Sequence, residues 1–69
     1  MKERTKYIAG QIRQVVNQLD KRAEVILYGS RARGDERKDS DWDILILTDY
    51  PVDVAVEQTF RDKLYDLEL

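Results

Sequence analysis

Neither cysteine nor histidine occurs among the 69 residues. Without cysteine there is no disulfide framework, and with histidine also missing the usual soft ligands of zinc are gone. Any metal this chain holds is therefore a hard, oxygen-seeking cation such as magnesium, manganese or calcium. Charge of a single sign is lacking too. Charged residues make up 38% of the chain, yet they nearly cancel to a net −2. That balance provides no general attraction to nucleic acid or to an anionic membrane. Uninterrupted apolar runs are only a few residues long, so nothing reads as a bilayer span. The opening Met1-Lys2-Glu3-Arg4 lacks the apolar stretch of a signal peptide. A soluble cytoplasmic protein with no membrane partner is the expectation. So short a chain is expected to be one domain, 1–69, or a piece of one, with a small core.

What is present is patterned. Ile8, Ile12, Val15, Val16 and Leu19 recur at spacings of four, three, one and three, the stripe of an amphipathic helix. Gln11, Arg13, Gln14, Asn17 and Gln18 fill its other side, and the polar turn Asp20-Lys21-Arg22 ends it. Glu24-Val25-Ile26-Leu27-Tyr28 is a continuous apolar run, which predicts a buried central strand. Gly29-Ser30 stops it. The stretch from Arg31 to Ser40 is polar, with Gly34 inside it, and reads as a loop, or as a short helical turn followed by a loop. A second strand is predicted from about Asp41 to Leu47. Asp49-Tyr50-Pro51 then turns the chain into a second helix, with Val52, Val56, Phe60, Leu64 and Leu67 as its stripe and Asp53 or Asp49 as its cap. The order helix-strand-strand-helix makes an α/β chain. Two strands alone form a poor sheet, so more strands are expected beyond Leu69.

Two features carry chemistry. Asp41 and Asp43 flank Trp42 at the start of the second strand. Positions i and i+2 of a strand share a face, so both carboxylates project together while Trp42, Ile44 and Ile46 project the other way. Like charges so placed repel, and aspartate is disfavoured in strands. A divalent cation between them relieves the repulsion and is a standard device of phosphoryl transfer. An Asp-x-Asp alone is more readily the solvated opening of a strand than a metal site. Gly29-Ser30 is the second feature. Glycine lets the chain turn sharply and lets a ligand approach the backbone. Serine beside it can cap a short helix whose free amides would face an anion. A lone Gly-Ser is also an ordinary strand-ending turn. Arg31, Arg33, Arg37 and Lys38 alternate with Asp35, Glu36 and Asp39, as in a solvated loop. Among them Arg33 is singled out as able to offer a triphosphate a planar fork of donors. The combination of strand, Gly-Ser, loop and Asp-x-Asp on a second apolar strand is more specific than either part.

The segments Val25-Ile26-Leu27-Tyr28-Gly29-Ser30-Arg31-Ala32-Arg33-Gly34 and Ser40-Asp41-Trp42-Asp43-Ile44-Leu45-Ile46 resemble the signature of the DNA polymerase beta-like nucleotidyltransferase superfamily. Within it the chain looks most like the small prokaryotic minimal nucleotidyltransferases, which resemble the antibiotic nucleotidyltransferases. The resemblance implies an α/β fold with a mixed sheet and flanking helices, of which this chain is the N-terminal, truncated portion. It implies nucleotide binding by Gly29 and Ser30, to which the loop reading adds Arg33, and Asp41 and Asp43 as catalytic, metal-binding carboxylates for Mg2+, with Mn2+ as the alternative. The implied reaction transfers a nucleoside monophosphate from an NTP, ATP first among the candidates, to an acceptor hydroxyl, releasing pyrophosphate. A small helical partner of the HEPN type, in a toxin–antitoxin-like module, is implied as well. A non-catalytic antitoxin-like module on the same scaffold is the alternative, and self-association into a homo-oligomer is expected from the short sheet. The chain departs from the pattern at the family's third carboxylate, which sits on a later strand. Glu68 is the one acid beyond the second helix, and it comes too soon to fill that place.

Overall fold

The apolar stripe of the first segment does form a helix, α1, Glu3–Leu19. A computed structural model gives the fold and describes residues 1–68; Leu69, the last residue of the expected domain 1–69, lies outside the described residues. Ile12 and Val16, one turn apart, are the most deeply buried side chains. Val15 is only half-buried and Leu19 is exposed, because the body covers a stripe narrower than the helix offers. Asn17, from the polar side, secures the exit: its Nδ2 donates to the carbonyls of Asp20 at 3.1 Å and Ala23 at 3.0 Å.

Strand β1, Glu24–Tyr28, follows, then a single helical turn, α2, Ser30–Arg33. Strand β2, Asp43–Leu47, pairs with β1 antiparallel, in the register Glu24 with Leu47, Ile26 with Leu45 and Tyr28 with Asp43. The last helix, α3, is Val54–Tyr65. Of the two candidate caps, Asp53 serves: its Oδ1 accepts the Val56 N–H at 2.8 Å, a cap that contributes about 1 kcal/mol. Val52 therefore precedes the helix and stays exposed.

Both long helices contribute to one core of Ile12, Val16, Ala23 and Phe60, against which Val25, Trp42, Ile44 and Ile46 of the sheet side pack. The expected α/β order is thus found, and of the two readings of the stretch after Gly29 the short helical turn, α2, is the one that forms. The sheet among the described residues is a two-stranded antiparallel one. The predicted double-sided burial of β1 is corrected. Its burial alternates, and so does that of β2 from Ile44 onward, Asp43 being half-buried as well, since helices cover one face alone. On the other face Ile26, Tyr28, Leu45 and Leu47 remain 42, 52, 47 and 43% exposed. That open face is the one from which Asp43 projects.

Candidate active site at the Gly29 turn

Strand β1 ends where Gly29 takes φ 78 and ψ −158, backbone angles that cost a residue with a side chain dearly. Space is as restrictive as torsion. A Cβ built on Gly29 would run into the carboxylate of Asp43, with Oδ2 foremost, Cγ at 3.0 Å and the Asp43 Cβ at 3.3 Å. The glycine thus does two things at once: it turns the chain into α2, and it leaves room for an acid from the neighbouring strand.

Gly29 also corrects the role given to Ser30. Gly29 is the N-cap of α2, and no side chain caps the turn. Ser30 is the first helical residue, one place too far along to accept from the free amides. Its carbonyl receives the N–H groups of Gly34 at 2.9 Å and Asp35 at 3.1 Å, and Gly34 closes the turn in the left-handed region.

Asp41 departs from expectation more clearly. The ladder begins at Asp43, opposite Tyr28, so Asp41 and Trp42 precede β2. The cause is geometric. An antiparallel partner for Trp42 would be Gly29 and one for Asp41 would be Ser30, and at those positions the chain has already left the strand for α2. Asp43 is half-buried beside the glycine, whereas Asp41 is exposed ahead of the strand. Trp42, Ile44 and Ile46 do project to the opposite, helix-covered side.

Arg33, singled out for phosphate, is exposed and turned towards its own loop, Nε lying 3.3 Å from Asp35 Oδ2. Arg31, which no local pattern separates from the other loop charges, is the better anchored of the two. Its Nε and Nη2 both donate to the Ser40 carbonyl, at 3.2 and 2.7 Å, and its guanidinium carbon lies 4.3 Å from the centre of the Trp42 ring. Glu36 was missed as well. Its side chain is only 6% exposed, and its Oε1 accepts the hydroxyl of the buried Thr5 at 3.0 Å, tying the loop to the start of α1. Burial pushes the Glu36 carboxyl up, but its own backbone N–H, the Thr5 hydroxyl and the cations of Lys2 and Arg31 outweigh that and hold it below the usual carboxylate range.

Of the two acids, only Asp43 is brought against the turn, and a carboxylate there is the kind of hard oxygen donor a divalent cation takes. Magnesium commonly takes one or two protein carboxylates and completes its shell with water and substrate phosphates. Among the described residues there is no group of three or more acids placed to hold a metal by themselves. Glu68 lies in the turn after α3 with φ 53, on neither strand. No helix among the described residues is long and apolar enough to cross a membrane.

A family model described as nucleotidyltransferase domain matches residues 9–69. No curated protein and no solved structure matches the chain.

Proposed function

Since the chain belongs to the nucleotidyltransferase domain family, we propose that it transfers a nucleoside monophosphate from an NTP to an acceptor hydroxyl, releasing pyrophosphate, through Asp41 and Asp43. The observation that carries this reading is the fit of the Asp43 carboxylate against the side-chain-free face of Gly29. In that position an acid stands beside the backbone a triphosphate would touch. Gly29 and Ser30 offer backbone amides to phosphate oxygens, and Arg33 exchanges its exposed Asp35 partner for them. Asp43, held by the strand, and Asp41, just ahead of it, supply the two carboxylates for Mg2+, or Mn2+ in its place. When bound, that cation neutralises charge on the phosphates. The protein's own part is to fix the carboxylates and the turn relative to one another, since catalysis of this kind is chiefly positioning and charge neutralisation. ATP is the first NTP to try, and the cytoplasm is the expected place of action.

The test is magnesium-dependent release of pyrophosphate from each NTP, together with calorimetric NTP binding, by the chain and by Asp43→Asn. Magnesium-dependent binding that Asp43→Asn abolishes is the expected result. Equal binding by both proteins removes Asp43 from the site.

A second reading, a non-catalytic antitoxin-like module, is favoured by one observation: the row Ile26, Tyr28, Leu45 and Leu47 open on the outer sheet face. A HEPN-type helical partner, or a second copy of this chain, would cover such a row. Sedimentation of the chain alone and mixed with such a partner separates these cases from a free monomer. The module reading requires a complex together with no magnesium-dependent NTP binding.

A further inference from the structure

Asp41 raises a problem of support. Asp43 is held in place by the ladder with β1, but Asp41 lies ahead of the ladder, where no strand pairing fixes it. One side chain grips both of its neighbours. Arg31 holds Ser40 through two hydrogen bonds to its carbonyl, at 3.2 and 2.7 Å, and stacks on the ring of Trp42 at 4.3 Å. Trp42 is in turn packed against the core. The forked, planar guanidinium suits both contacts, since two of its donors meet one acceptor while its face meets an aromatic ring. Arg31 also directly follows Gly29-Ser30 in the chain. Its backbone therefore moves with the turn, while its side chain fixes the segment that carries Asp41.

We propose that Arg31 is the positioning residue of this site, joining the Gly29-Ser30 turn to Asp41 so that the two carboxylates and the turn act as one unit. It touches neither metal nor nucleotide and acts through Ser40 and Trp42. The proposal rests on the nucleotidyltransferase reading of Asp41 and Asp43 and extends it to a residue outside the motif's acids and glycine. Groups that orient metal ligands from behind typically change metal affinity or activity about 10–100-fold when removed.

The experiment titrates Mn2+ into the full chain, with and without ATP, and counts free Mn2+ by electron paramagnetic resonance. Wild type, Arg31→Met, Arg31→Lys and Asp43→Asn are compared, each with its urea midpoint. Methionine keeps a long apolar stem on Trp42 but has no donor, and lysine keeps the charge but not the fork. The expected result is Mn2+ binding by wild type, loss in Asp43→Asn, and about 10–100-fold weaker binding in both Arg31 variants per folded molecule. Arg31→Lys supplies the answer if Arg31→Met does not fold. Wild-type affinity in a folded Arg31 variant, or a loss that merely follows the unfolded fraction, overturns the positioning role and leaves the reading of the acids intact. Equal Mn2+ binding by wild type and Asp43→Asn overturns that reading, and the role of Arg31 falls with it.

Discussion

Replacing Gly29 by alanine tests the close approach on which the site is built. Two separate penalties are expected. The backbone angles, φ 78 with ψ −158, lie where an L-residue is strained by roughly 1–3 kcal/mol. The new methyl group would also collide with the Asp43 carboxylate. Gly34→Ala separates the two. Gly34 has φ 84, but the nearest atoms to an added Cβ are those of Met1 at 3.6 and 3.9 Å. It should show strain without collision, about 1–2 kcal/mol, or a melting midpoint lowered by roughly 4–16 °C in a chain of this size. The sharper measurement is a double-mutant cycle on urea unfolding. If Asp43 is what the methyl meets, Asp43→Ala should restore part of the stability lost in Gly29→Ala, with a coupling of about 0.5–3 kcal/mol. The same cycle with Gly34→Ala and Asp43→Ala should be additive within about 0.5 kcal/mol. Additivity in the Gly29 cycle would refute the claim that Asp43 sits against the glycine.

Gly10→Ala should stabilise the chain by about 0.5–1 kcal/mol, seen as a higher melting midpoint, because nothing lies within 4 Å of an added Cβ and the position is inside α1. Asp53→Ala removes the cap on Val56 N–H and should cost about 0.5–2 kcal/mol in urea unfolding. The Glu36 carboxyl is held below its ordinary 4.5, so the stability it adds is complete above that pH and is lost as pH falls through its lower folded value. Glu36→Gln should therefore destabilise the chain at pH 7 and flatten its acid unfolding below pH 4.5; an unchanged acid profile would show that Glu36 makes no such contribution.

The helices and strands were legible because each rests on a local period. Ile8 to Leu19 marks α1 and the apolar runs mark both strands, so the α/β order was readable, with the turn α2 among the readings of the segment after Gly29. Gly29 and Asp43 each stood out because a glycine at a strand end and an acid in an apolar strand are locally costly, but the sequence joined Asp43 to Asp41 and did not show its contact with Gly29. What eluded the sequence was tertiary. Where β2 begins depends on where β1 stops having a partner to offer, so Asp41 could not be placed ahead of the ladder from its own neighbours. Arg31 stood among other loop charges, and nothing local distinguishes it, because its grip on Ser40 and Trp42 spans a loop. Glu36 was hidden likewise, since its partner Thr5 comes from the far end of α1.

The pairing of Tyr28 with Asp43 makes the direction of that acid all-or-nothing. Sliding one strand past the other by a single step would swing every side chain of β2 through half a turn. Asp43 would then be pressed beneath the helices and Ile44 would emerge in its place. Turning an unpaired carboxylate to the helix-covered side of the sheet would cost several kcal/mol. The carboxylate that stands against Gly29 therefore also opposes the misaligned sheet.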